Sequence, residues 1–256
     1  MNLKQISAIV ILFSSIYAQA QLKSVPYTDG NQKLEGFLAT PTKPNAKKAG
    51  VVVLHAWMGI SEHEKESAQK LADLGYYSFV ADVYGVGNKP SNTNEAGKLA
   101  GFYKTDFASY QKRIQLAIDQ LVKAGANPDE IAVIGYCFGG TGAIEAARGG
   151  LKVKGVVSFH GGLGKDGNRI ATPISAKVLA LHGADDPYVP AKEVSAFEDE
   201  MRTAKADWQL NIYANAVHAF THKDAGSDNS KGAAYNEKAD KRSWEAMKIF
   251  FDELFK

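Results

Sequence analysis

Short apolar runs alternate with amphipathic stretches along most of the chain. Gly50-Val51-Val52-Val53-Leu54 carries no polar alternation, which suits a strand covered on both faces, as in a parallel sheet. Further strands are expected over Tyr76 to Ala81, Ile131 to Ile134, Val153 to Phe159, Val178 to Leu181 and Gln209 to Tyr213. Between them the apolar period changes to that of a helix. Ala68, Leu71 and Ala72 share one face of a helix over Glu62 to Leu74, with Gly75 as its stop. Phe107, Tyr110, Ile114, Ala117, Ile118 and Leu121 define a long amphipathic helix ending near Gly125. Helices are also expected over Thr141 to Arg148, Ala191 to Ala204 and Glu237 to Phe255, the last burying Trp244, Met247, Phe251 and Leu254. At the front, Leu22 to Thr28 and Lys33 to Ala39 flank the turn signal Asp29-Gly30-Asn31 and read as a β-hairpin. Pro41 to Lys48, Asp82 to Asn92 and the glycine-rich Gly161 to Pro173 read as connections, and Gly226 to Asn236 as a polar, mobile loop. Alternating strands and helices of this kind predict a three-layer α/β fold with a mainly parallel central sheet, in one domain over residues 21–256.

Composition narrows this only a little. The 256 residues carry a formal charge of +2, close to balance, which argues for neither nucleic acid nor an acidic membrane surface, and no nucleic-acid partner is expected. Met1 to Ala20 reads as a secretory signal. Lys4 supplies the positive start, Ile6 to Tyr17 is apolar but for serines, and Ala18-Gln19-Ala20 is a small-x-small cleavage site. The expectation is a mature chain from Gln21, periplasmic or secreted, with no stable membrane insertion after cleavage. Nothing in the pattern sets an oligomeric state. The single Cys cannot form an internal disulfide. In an oxidising compartment a lone thiol is a liability unless it is protected or used.

That thiol, Cys137, lies in Gly135-Tyr136-Cys137-Phe138-Gly139-Gly140, between an apolar β-branched run and a stretch of small helix formers. Strand, sharp turn and helix in this order form the Gly-x-nucleophile-x-Gly elbow, with Cys in the place usually held by Ser. The helix N-terminus beneath favours a thiolate. A small buried Cys beside a glycine turn is the bland reading, and the ordered context weakens it.

A nucleophile needs a base, and the base an orienting group. In hydrolases of this architecture the order is nucleophile, acid, histidine. Asp185 and Asp186 follow a strand, and Asp186 is preferred as the last position before Pro187. Its structural alternative is an Asx-type turn. Of six histidines, His218 follows the last strand and is third in order, with His222 a nearby competitor. His55 and His160 each follow a strand and are candidates to line the site. His63, at a helix start, reads as solvated, and His182 as a packing residue. Oxyanion donors are expected from the backbone N–H groups of Phe138 and, in the loop after the early strand, Trp57. The histidines lack metal-ligand spacing, and no Cys-x-x-Cys supports a redox role.

With these residues in view, the sequence resembles the dienelactone hydrolase family of α/β-hydrolases over about Gly50 to Phe220. The resemblance is carried by the elbow, Asp186-Pro187-Tyr188-Val189-Pro190, His218-Ala219-Phe220, Gly75-Tyr76 and Asp82-Val83-Tyr84-Gly85. It implies a Cys137-Asp186-His218 triad, oxyanion donors at Trp57 and Phe138, no metal or organic cofactor, and a small-molecule ester or lactone substrate. Three positions depart from the family. Ala56 stands where members carry a Glu that helps activate the thiol. Val86 and His222 stand where the dienelactone-opening enzyme has arginines for the substrate carboxylate. Each lost charge-assisted hydrogen bond is worth about 1.5–3 kcal/mol. A neutral or less acidic ester, lactone or thioester is therefore expected rather than dienelactone, with Lys89 or Lys223 as candidates to replace a lost cation. The missing Glu also supports an alternative, a secreted non-catalytic binding protein on a hydrolase scaffold.

Overall fold

The computed structural model describes residues 22–256, so the expected signal segment, Met1 to Ala20, lies outside the described residues. A hairpin of β1 (Leu22–Asp29) and β2 (Gln32–Ala39) leads into β3 (Gly50–Leu54), α1 (Glu62–Asp73) and β4 (Tyr77–Ala81). Next come α2 (Thr93–Thr105), α3 (Phe107–Lys123), β5 (Ile131–Tyr136) and α4 (Phe138–Arg148). The chain ends with β6 (Gly155–Phe159), β7 (Lys177–Gly183), α5 (Ala191–Thr203), β8 (Trp208–Tyr213) and α6 (Glu237–Leu254).

The strands form one eight-stranded sheet in the order β1-β2-β4-β3-β5-β6-β7-β8. Pairing is antiparallel for β1 with β2 and β2 with β4, and parallel for the rest. The apolar runs have no polar alternation because both faces are covered. Val52 and Leu54 of β3 join a core with Tyr110, Ile114 and Leu121 of α3. Val51 and Val53, pointing the other way, join Leu71 of α1 with Met247 and Phe251 of α6. Sheet and two helical layers give the expected three-layer α/β fold.

Two segments differ from the sequence reading. Residues 93–105 form α2, which the apolar pattern did not announce. Gly97 and Gly101 lower its propensity, and only Ala96, Ala100 and Tyr103 are buried, a narrow stripe. Its signal is at the start: Asn92 Oδ1 accepts the Glu95 N–H (3.0 Å), and the Glu95 carboxylate accepts the Ser91 N–H (2.8 Å). The segment Gly226 to Asn236, expected to be mobile, is tied down. Gly232 O accepts the His218 N–H at 3.2 Å, and the Ala234 N–H donates to His218 O at 3.0 Å. Asn229 and Asn236 side chains both donate to Asn215 O.

The irregular segment after β6 is held by charged side chains, one half-buried and the others buried. Glu193 Oε1 accepts the N–H groups of Leu163 and Gly164, both at 2.7 Å. Arg148 donates to the carbonyls of Leu163 and Gly164 and pairs with Glu145 (2.9 Å) and Glu200 (2.6 Å). Removing Arg148 leaves the Glu200 carboxylate buried without compensation, while Glu145 keeps Arg169 as a partner. Arg148→Met is expected to lower unfolding free energy by about 3–5 kcal/mol, measured by urea denaturation. A loss below 1 kcal/mol would show that the cluster is not holding this segment.

Candidate active site

The elbow has the backbone its sequence implies. Cys137 sits at φ 54°, ψ −113°, a conformation rarely adopted by residues with a side chain. The glycines on either side are steric requirements. A Cβ on Gly135 would lie 2.0 Å from the Gly139 carbonyl oxygen, and one on Gly139 2.3 Å from the Leu54 carbonyl oxygen. Only hydrogen at both positions lets β5, α4 and the end of β3 come this close.

His218 lies between the thiol and a carboxylate. Its Nε2 is 3.0 Å from Cys137 Sγ, and its Nδ1 is 2.8 Å from Asp186 Oδ2. Asp186 is buried whereas Asp185 is exposed, which separates the two candidates. The Asx turn and the histidine contact coexist, because the other oxygen, Oδ1, accepts the Tyr188 N–H at 2.9 Å. Burial works against charge on both reacting groups, yet the pair overrides it. The hydrogen bond to His218, its charge, the Lys104 ammonium and the Phe138 N–H hold the Cys137 thiol below its usual range. Asp186 and the cysteine sulfur push His218 up to about 10. Both shifts point to a thiolate–imidazolium pair.

The loop after β3 is fixed from beneath. His55 Nδ1 lies 2.7 Å from Ala56 O, and its Nε2 accepts the Val83 N–H at 3.3 Å. These contacts together require the neutral ring with its proton on Nδ1. The Gly59 N–H also donates to Ala56 O (3.1 Å). In a trans peptide the N–H of the next residue points opposite to this carbonyl, so the Trp57 N–H is turned away from His55. The Trp57 carbonyl is pinned by the Tyr84 hydroxyl at 2.9 Å. Ala56 supplies no carboxylate to the site; Glu64 of α1 instead accepts its N–H from below at 3.1 Å.

Cys137, His218, Trp57 and Ala56 open onto a cavity of about 530 Å³, whose walls include Met58, Tyr188 and His222. Phe138, at the start of α4, is buried beside it. His55 and His160 do not line this cavity as expected. His55 underlies the loop, and His160 is fully buried edge-on to His218, with ring centroids 5.3 Å apart. His63 is not solvated: it packs between Tyr136 (4.4 Å) and His222 (4.0 Å). Lys89 donates to the Ile60 carbonyl, and neither it nor Lys223 is among the lining residues. The lysine that does line the cavity is Lys104, which the sequence reading missed together with its helix, α2. Among the described residues no cluster of His, Cys, Asp and Glu is arranged to hold a metal ion.

The family model described as "Dienelactone hydrolase family" matches residues 34–255. A Saccharolobus solfataricus protein, provisionally named a carboxymethylenebutenolidase, is 26% identical over 91% of this chain and 99% of its own. The crystal structure of a dienelactone hydrolase-like promiscuous phosphotriesterase from metagenomic libraries is 37% identical. It superposes with a TM-score of 0.85 over 93% of this chain and 100% of that one. The Anabaena variabilis dienelactone hydrolase shares the fold at 23% identity and a TM-score of 0.60, over 78% of this chain and 88% of that one. With nearly its whole described length matched, the chain belongs to the dienelactone hydrolase family and is a hydrolase.

Proposed function

We propose that the chain hydrolyses a carboxylic ester or lactone, and that Cys137 is the nucleophile, His218 the base and Asp186 its orienting group. The observation that carries this reading is the bridging position of His218, within hydrogen-bond distance of both partners. The thiolate attacks the carbonyl carbon, and the oxyanion is received by the N–H groups of Trp57 and Phe138. The imidazolium gives its proton to the departing alkoxide, leaving a thioester on Cys137. Acylation removes the sulfur's negative charge, so His218 loses one of the two anions that keep it protonated. The neutral ring then takes a proton from water, the hydroxide so formed adds to the thioester, and expulsion of the sulfur releases the acid and restores the thiolate–imidazolium pair.

Dienelactone is not the favoured substrate. Val86 is half exposed and outside the cavity lining, and His222 lines the cavity with its charge suppressed by burial. A neutral or less acidic ester, lactone or thioester fits this wall better. A chain exported by the segment Met1 to Ala20 would meet such substrates outside the cytoplasm, with a mature N-terminus at Gln21 as the expected result of sequencing.

The test is a p-nitrophenyl ester assay with mass analysis of the quenched protein. Turnover stopped by alkylation of the single thiol, and an acyl mass on Cys137 during turnover, are the expected results. Turnover that survives complete alkylation would remove the assignment.

A further inference from the structure

We propose that Glu64 and His55 are positioning residues for the oxyanion hole, and that together they hold the peptide between Ala56 and Trp57 so that its N–H is presented to the cavity. This rests on the reading of Cys137 as nucleophile and of Trp57 as an oxyanion donor. The two donors are secured differently. Phe138 is the first residue of α4, so its N–H is fixed by the strand–turn–helix backbone and already lies against the Cys137 sulfur. Trp57 belongs to the loop of residues 55–61 between β3 and α1, where neither ladder nor helix sets the peptide plane. In that loop the Ala56 N–H, the Ala56 carbonyl and the Trp57 carbonyl all have partners, whereas the Trp57 N–H has none among the described residues. An open donor would ordinarily turn to find an acceptor. Here it cannot turn without breaking the bonds on either side of it.

Both residues are fully buried, and neither lines the cavity. Glu64 closes a capping box with Ser61 at the start of α1, but capping occupies only one of its oxygens. Oε2 accepts the Ser61 N–H (2.9 Å) and hydroxyl (2.6 Å), while Oε1 reaches out of the helix to the Ala56 N–H. A helix cap alone gives no reason for that second contact. Burial opposes the charge of Glu64, yet the Ser61 hydrogen bond holds its carboxyl below the usual range. The Ala56 N–H therefore meets an anion, in a charge-assisted bond. His55 acts on the next peptide through its carbonyl. Its Nδ1–H donates to Ala56 O, and a donor on that oxygen polarises the amide and makes the Trp57 N–H a stronger donor. The carboxylate absent at Ala56 thus has a counterpart behind the loop, acting on the oxyanion donor rather than on the thiol.

Two reactions of Cys137, the only cysteine, separate this role from general support of the fold. Trifluoroacetophenone adds reversibly: the S–C bond forms, the carbonyl π pair moves to oxygen, and the alkoxide enters the oxyanion hole. Iodoacetamide is attacked at a saturated carbon, iodide leaves, and no oxyanion forms. Adduct dissociation constants from fluorine NMR should rise about ten-fold in Glu64→Gln, whose amide nitrogen would face one of the two backbone N–H groups, and about a hundred-fold in His55→Leu. The iodoacetamide rate should stay within about two-fold of native in both variants. His55→Asn, which keeps an N–H near the Nδ1 position, should recover most of the adduct affinity. Unchanged adduct affinity in both variants overturns the proposal, as does a loss matched by an equal loss of alkylation rate, or a native protein that forms no adduct. If His55→Leu does not fold, Glu64→Gln decides alone. A native protein that forms the adduct but does not turn over p-nitrophenyl esters would instead sink the hydrolytic cycle, while the same affinities would still decide the role of Glu64 and His55.

Discussion

His218→Asn should lower kcat/KM for an activated ester by about 10³–10⁴, and should slow alkylation of Cys137 at pH 7 as well. The two effects share a cause. The imidazole is the strongest influence opposing burial of the thiol charge. Without it, the sulfur reverts to a buried thiol, and no group remains to protonate the leaving alkoxide or activate water. Asn keeps a polar group facing Asp186, so the carboxylate is not left wholly unpartnered. A smaller effect is expected for Asp186→Asn, because Asp186 acts through the ring rather than on the substrate. Comparing the pH dependence of alkylation separates the roles. In the native protein the thiolate persists below the ordinary cysteine range, whereas in His218→Asn the midpoint should rise. An unchanged midpoint would mean that the α4 N-terminus and Lys104, not the histidine, hold the sulfur charged.

How far this site could be read from residues alone depended on whether the signal was local. The elbow was legible because its constraint is contained in six consecutive residues: Gly135 and Gly139 have no room for a Cβ, so the sequence must show it. Asp186 was legible because it follows a buried strand whose apolar run marks the sheet edge, and His218 because it follows the last strand, half-buried, in third place in the order nucleophile, acid, histidine. Lys104 was not, because α2 buries only a narrow stripe and includes two glycines. His55 and Glu64 were invisible for a different reason. Their work lies in contacts to the backbone of Ala56, and backbone partners leave no trace in side-chain pattern. His63 was misread because a position in the first turn of a helix suggests solvent, while the nearby His222 and Tyr136 rings come from distant elements.

The histidines also make the fold sensitive to acid, which is the second large effect expected. Burial is the leading cause that holds His55, His63, His160, His182 and His222 below their ordinary range, with His63 pushed down to about 3. Geometry supports the direction. His160 Nδ1 and His222 Nε2 are buried without a hydrogen-bond partner among the described residues, so a protonated ring there would have an unanswered donor. In the unfolded chain the same rings take up protons as pH falls through about 6.5. Below that point the unfolded state binds more protons than the folded one, so stability falls as pH falls, and for His63 it continues to fall to about 3. His218 does not offset this loss. Its pKa is raised, so the stability it adds is complete below about 6.5 and is lost only as pH rises toward 10. Each suppressed histidine contributes up to about 1.4 kcal/mol per pH unit, so two of the five would cost about 4 kcal/mol between pH 6.5 and 5. Guanidinium unfolding across this range should show a steep decline, and His63→Gln should make it shallower by about one proton. A flat profile from pH 7 to 5 would mean that the rings become charged in the folded protein, and that the packing around His160 and His222 opens to admit water.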